Sequence, residues 1–298
     1  MPLRILEHAA RLLPEAKRFP TERWLRGWLD RQRLDRADYV VVSFGKSGRT
    51  WLRVMISRIY QRRHALSDEL IEYSNYHRAN ASLPRVLFTH DNYLRDYTGH
   101  GGDKVAFAGN RILLLVRHPA DITMSQYFQW KHRMRPHKVL LNQYPAVDAA
   151  VTPYQFMMGT SGLSKVNTWL NEWAVGLNTL DSTLMVRYED MRTDTLRELR
   201  RIADFMRMDA TDAEVEEAVE WANFENMKQR ETDAASSSDR LRAGDVDKPD
   251  SFKTRRAKVG GYQDYFDDAE VATIDDVIDQ TLDPRFGYGR GNRTFDTR

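Results

Sequence analysis

The stretch "YVVVSFGKSGRTWLRVMISRIY", residues 39–60, decides how this chain folds. It opens as an uninterrupted apolar run of strand length, with valines at 40–42, and closes with apolar residues at helical spacing from Trp51 onward. A cationic turn, Gly45-Lys46-Ser47-Gly48, joins the two. A strand–turn–helix of this kind gathers backbone N–H groups around a concavity at a helix N-terminus, where the donors and the dipole favour a phosphate. Lys46 adds a point charge; Ser47 and Thr50 add hydroxyls. A nucleoside-triphosphate loop of the form G-x-x-x-x-G-K-[ST] needs a glycine five residues before Gly45, but that position is Val40, inside the strand. The shorter loop suits a 5′-phosphate with no β,γ-chain lying across it. An incidental turn with solvated charge is the alternative reading of these residues alone.

Outward from this stretch the same alternation continues. Strands are expected at "DYVVVSF" (38–44), "RVLFTH" (85–90), "RILLLVR" (111–117) and "TLMVRYED" (183–190). Helical patterns cover 50–62, 120–134, 164–178, 193–207, 212–221 and 267–282. Apolar strands alternating with helices predict an α/β fold, a parallel sheet covered on both faces. Ligands of such sheets sit at the carboxyl ends of the strands. The first three strands end in Lys46–Thr50, His90 and Arg117. No repeat or dividing linker appears before residue 230, so one domain over 1–298 is expected, with its core at about 38–290. The segment 230–261, dominated by Ser, Asp, Gly and Arg, reads as a long mobile loop, at its loosest up to about 258. The tail from Asp283 reads as irregular.

Composition removes several classes of function. Apolar residues make up 41% of the 298, enough for a sizeable core. The formal charge is only +2, so no global field draws the chain to nucleic acid or to an anionic membrane. Absence of cysteine rules out disulfides, thiolate catalysis and cysteine-held metals and fits a reducing, cytoplasmic setting. Charged residues interrupt the N-terminus, and the longest aliphatic run is too short to cross a bilayer. "LRILEHAARLL" (3–13) has helical apolar spacing and reads as a core-packing helix, with a membrane-surface helix as the alternative.

Four segments, in order, carry a resemblance. "FGKSGRTW" is similar to the 5′-phosphosulfate loop, usually P-K-S-G-T-T-W, of sulfotransferases that use 3′-phosphoadenosine 5′-phosphosulfate (PAPS). "RVLFTH" matches the strand bearing that family's histidine base. "VRHPADITMSQYF" resembles its 3′-phosphate motif, an Arg at a strand end with Ser eight residues on. "FKTRRAKVGGYQDYF" resembles its late R-K-G-x-x-G-D-W segment. Together they span residues 39–266.

The resemblance implies a P-loop NTPase-like sulfotransferase fold and PAPS-dependent transfer of a sulfuryl group to a hydroxyl, leaving 3′-phosphoadenosine 5′-phosphate (PAP). It implies that His90 is the base, Lys46 the group that neutralises the departing phosphate, and Ser125 the residue holding Lys46 until the acceptor binds. Cofactor contacts are implied for Lys46, Ser47, Gly48, Arg49, Thr50, Trp51, Arg117, Ser125, Tyr188, Phe224, Arg255 and Arg256. The residue chemistry agrees at several of these. Arg117 offers a bidentate fork to a second phosphate, though an ion pair with Asp121 would also account for it. A histidine titrates near neutrality, as a base for a hydroxyl must. Trp51, Tyr188 and Phe224 would wall an adenine, and each could equally be a core aromatic. With Lys46, the loop amides and Arg117 supplying positive charge, no metal is expected.

Departures from the family pattern are Gly45 for Pro, Arg49 for Thr, Ala257 for Gly, Tyr262 for Trp, and Phe88 where many animal members carry a lysine. "SQYFQWKHRMRPH" (125–137) and "TPYQFMMGTSG" (152–162) are expected to line the acceptor pocket, which would take a small-molecule, lipid or carbohydrate hydroxyl. Lys131, Arg133 and Arg135 point to an anionic or carbohydrate acceptor. The competing readings are a P-loop small-molecule kinase and a non-catalytic nucleotide-binding protein. A kinase would carry a glycine in place of Val40 and an acid in place of Arg117.

Overall fold

The computed structural model describes residues 13–99, 102–147, 149–232 and 258–290, residue 15 by its backbone alone. Residues 3–12 of the expected helix, Arg255 and Arg256 of the late motif, most of the expected mobile loop and the end of the tail lie outside the described residues.

Four strands, β1 (Tyr39–Ser43), β2 (Val86–Thr89), β3 (Arg111–Val116) and β4 (Thr183–Arg187), form one parallel sheet in the order β2-β1-β3-β4. The longer helices are α1 (Glu15–Leu34), α2 (Arg49–His64), α3 (Pro119–Arg133), α4 (Leu163–Gly176), α5 (Thr195–Phe205), α6 (Asp212–Trp221), α7 (Phe224–Thr232) and α8 (Asp268–Thr281). Side chains alternate across the sheet into two separate cores. Val40, Val42, Ile112 and Leu114 face α3, α4 and α8, whereas Val41, Leu113, Leu115 and Val186 face α2, α5 and α6. Burial on both sides explains why the strands read as continuous apolar runs. Each fully buried Val or Leu contributes about 1.5–3 kcal/mol.

The expected strands and main helices form within a few residues of the positions the sequence indicates. Two of the longer helices are additional. α1 contains Pro20 and many basic residues, so no clean apolar stripe announces it. α7 carries helix through Thr232, past residue 230 where the loop was expected to begin. Among the described residues, no helix is long and apolar enough to cross a membrane.

Strand order positions the site. From β1 the chain passes through α2 to β2 on one side, then returns across β1 to β3 and β4 on the other. The carboxyl end of β1 is therefore the point where connections diverge, the crevice in which open α/β sheets bind ligands. The register pairs Val42 with both Thr89 and Leu114, and Val116 with Arg187. Hence His90, the turn 44–48, Arg117 and Tyr188 stand in a row along the strand tips.

Candidate active site

The turn after β1 is held in an uncommon backbone shape. Lys46 and Gly48 both adopt left-handed conformations, with φ of 75° and 91°. Such alternation turns successive N–H groups into one concavity. Glycine is required at 48 for a second reason: a β-carbon there would lie 2.6 Å from Cδ2 of Tyr188. The Tyr188 ring, 6% exposed, therefore packs directly beneath the loop. No side chain caps α2 and its first turn has no acid, so its N-terminal dipole is left uncompensated toward the concavity. The Ser47 hydroxyl is fully buried with no hydrogen-bond partner among the described residues, and the same holds for Nε of Arg117. Buried donors in this state fit an anion that the loop is built to receive.

Arg117 leaves the end of β3 and binds the loop itself: Nη1 donates to the Lys46 carbonyl at 3.0 Å, and Nη2 to the Lys258 carbonyl at 3.5 Å. Its guanidinium lies 4.4 Å from the Tyr188 ring centroid and 3.7 Å from a carboxylate oxygen of Asp121. Arg117 thus holds its Asp121 ion pair and a place on the cavity wall at once. Burial works against the Arg117 charge, but Asp121, Tyr188 and Glu189 outweigh it and raise its pKa. Asp121 also accepts the backbone N–H groups of Gly260 and Tyr262, at 2.9 Å each, which anchors the end of the late motif to α3. Tyr262 is buried, stacks on His118 and donates to Asp275 at 2.6 Å. His118 is thereby absorbed into packing.

A cavity of about 300 Å³ joins these parts. Lys46, Gly48, Arg49, Thr50, Trp51, His90, Arg117, Ser125, Tyr188 and Phe224 all line it. The structure thus brings together every described residue named for catalysis or cofactor contact, with Ser47 buried in the same turn. Trp51 meets Tyr188 edge-on at 5.9 Å, and its indole N–H donates to the Ala222 carbonyl at 2.8 Å, which locks it beside Phe224. Among the described residues, no group of acids and histidines could hold a metal ion.

His90 stands where this cavity meets a second one of about 830 Å³. Its Nδ1 is 2.7 Å from the Ser43 carbonyl and its Nε2 is 2.6 Å from Nη2 of Arg49. A carbonyl can only accept and a guanidinium can only donate. The ring therefore carries its proton on Nδ1 and presents the Nε2 lone pair. The Trp169 indole donates to the His90 carbonyl at 3.0 Å, fixing the backbone behind the ring.

The second cavity contains residues from both expected segments, including Gln126, Gln129, Arg133, Arg135, Thr160 and Ser161. Lys131 does not line it. Sequence reasoning missed Arg23 and Asp30 from α1, Tyr93, Tyr144 and Lys165. None sits in a motif, and only tertiary packing brings α1 against the site. Burial pushes the Asp30 carboxyl up to about 6, opposed by Arg33, with nearby Asp91 adding to the shift. Phe88, in place of the family lysine, lies 3.8 Å under the Arg53 guanidinium and lines this cavity.

Comparison with known proteins agrees with this geometry. The family model for the sulfotransferase domain matches residues 36–285. Cytosolic sulfotransferase 17 of Arabidopsis thaliana is 26% identical over 86% of this chain and 78% of its own length. Flavonol 3-sulfotransferase of Flaveria bidentis is 23% identical, covering 82% and 84%. Among solved structures, mouse sulfotransferase SULT7A1 complexed with PAP superposes with a TM-score of 0.57 at 21% identity, over 85% of this chain and 89% of that one. Retinol dehydratase in complex with retinol and PAP gives 0.55 at 17% identity, over 82% and 80%. The chain belongs to the sulfotransferase family and is a PAPS-dependent sulfotransferase.

Proposed function

We propose that His90 is the catalytic base, and that the second cavity receives the hydroxyl-bearing small molecule that becomes sulfonated. The observation that carries this is the position of Nε2, a proton acceptor at the junction of the loop cavity and the larger one. Bound PAPS supplies the sulfuryl group: the acceptor oxygen forms the new O–S bond as the bond from sulfur to the 5′-phosphate oxygen breaks. The acceptor proton passes to His90 Nε2, and the Ser43 carbonyl stabilises the imidazolium through Nδ1–H. Arg49 occupies the lone pair beforehand, and the acceptor hydroxyl takes its place.

Lys46 and the amides of the turn neutralise the charge that grows on the 5′-phosphate. Ser125 holds Lys46 in register for that step. Arg117 takes the 3′-phosphate, while Trp51 and Phe224 wall the adenine. Tyr188 contributes chiefly by supporting the loop from below. Ser47, Gly48, Arg49 and Thr50 complete the 5′ site, and Arg255 and Arg256 add charge to the 3′ site. The whole chain acts as a single sulfotransferase domain, a reading supported by the extent of the family match. Relatives named cytosolic support a cytoplasmic setting.

The test is His90→Ala, assayed for sulfate transfer from labelled PAPS to a panel of hydroxylated acceptors and for PAP affinity by calorimetry. Turnover should fall roughly 10²–10⁴-fold, with PAP affinity within twofold of wild type. Turnover near wild type would remove His90 from the mechanism.

A further inference from the structure

We propose that the acceptor is itself an acid, a hydroxylated small molecule whose carboxylate or comparable anionic group is held by Lys165 while its hydroxyl meets His90. This rests on the assignment of the second cavity as the acceptor site. Basic side chains lining that cavity outnumber acidic ones, seven to three. Two of the three acids are already neutralised: Lys104 reaches Asp91 at 2.8 Å and Glu172 at 3.2 Å, and Arg95 also pairs with Glu172 at 3.1 Å. Arg23 is satisfied as well, by Asp96 at 2.8 Å and by the carbonyls of Leu141 and Asn92.

Lys165 differs from these. Its Nζ donates to the Asn142 carbonyl at 2.9 Å and lies 4.3 Å from the Tyr144 ring centroid. Among the described residues it has no carboxylate within ion-pairing distance, and the Asn142 carbonyl is the one acceptor it meets, though it lines the cavity. Burial first, and then the charges of Arg23 and Arg95, lower its pKa to about 8. An ammonium kept half-buried against two guanidiniums costs stability unless something anionic compensates it. No residue in the described structure does so; a bound anion would.

Placement makes the compensation useful. Lys165 precedes Trp169 by one turn of α4, roughly 6 Å of helix rise, and Trp169 is bonded to the His90 backbone. Lys165 and the base therefore border one continuous space, with the Tyr144 and Tyr93 rings along it. A rigid acid with its hydroxyl and carboxylate at opposite ends would be oriented with the hydroxyl toward Nε2. A neutral acceptor would gain nothing from Lys165.

The experiment compares 6-hydroxy-2-naphthoate with its methyl ester by calorimetry, on the full chain saturated with PAP and again without it. The acid should bind at least tenfold more tightly than the ester. Lys165→Met and Lys165→Gln should erase that difference while PAP affinity stays at the wild-type value and the melting temperature does not fall, since relief of the buried charge favours folding. Equal affinities in the wild type, no binding of the acid at millimolar concentration, or a preference that survives both substitutions would each overturn the proposal. The wild-type comparison needs no variant to fold. Failure of PAP itself to bind would instead refute the cofactor-site reading, and the comparison without PAP would still judge Lys165.

Discussion

Gly48→Ala tests the loop at its most constrained point. The substitution asks an L-residue to adopt a φ of 91°, which costs about 1–2 kcal/mol, and drives a methyl group to within 2.6 Å of the Tyr188 ring. Overpacking of that kind typically costs a further 1–3 kcal/mol or so. Gly109 serves as the control, because its φ is 83° and a β-carbon there would meet nothing within 4 Å. Gly109→Ala should therefore lose only the backbone component, roughly 1–2 kcal/mol, and Gly48→Ala about 2–5 kcal/mol. At roughly 2 °C per kcal/mol for a chain of this size, melting should fall by several degrees more at 48 than at 109. If the loop yields instead of the ring, the loss appears as weakened PAP binding. Urea unfolding and PAP calorimetry on the two variants, with Tyr188→Ala added to Gly48→Ala, complete the assay. Removal of the ring should recover about 1 kcal/mol or more through non-additivity. Equal stability and equal PAP affinity in the two alanine variants would refute the close packing of Tyr188 under the loop.

Two further expectations follow from the same geometry. Arg117→Met should weaken PAP binding by about 10–100-fold, the range for a lost charge-assisted hydrogen bond, with AMP, which lacks the 3′-phosphate, bound within threefold of wild type. A parallel loss for AMP would show that Arg117 serves the loop through its bond to Lys46 rather than the ligand. Asp30→Asn probes the buried carboxyl whose pKa stands at about 6. Because the folded state holds this proton more tightly than an unfolded chain with a pKa near 3.9, stability from this group is full below about pH 4 and is lost as pH rises through 6. The variant should thus gain about 1–3 kcal/mol at pH 7.5 and nothing at pH 4. An equal effect at both pH values in denaturant titrations would contradict the assignment.

The chain's local chemistry determined a great deal. Continuous valine and leucine runs separated by helical patterns can only become a sheet buried on both faces, because apolar side chains point to both sides of each strand. The Gly45–Thr50 turn marked a candidate anion site, since glycine and lysine between a strand and a helix can bring backbone donors together. The segments "FGKSGRTW", "RVLFTH" and "VRHPADITMSQYF" also placed His90 and Arg117 at strand ends like that of the turn; that they flank it follows from the strand order β2-β1-β3. What only tertiary structure decided is the second cavity. Arg23 and Asp30 come from a helix with no clear apolar stripe, and Lys165 looks like any solvated lysine until Tyr144 and Asn142 pack against it at the wall of that cavity. The distinction has one physical origin: backbone donors and apolar periodicity act between neighbours in the chain, whereas burial of a charge depends on segments that come together only in the fold.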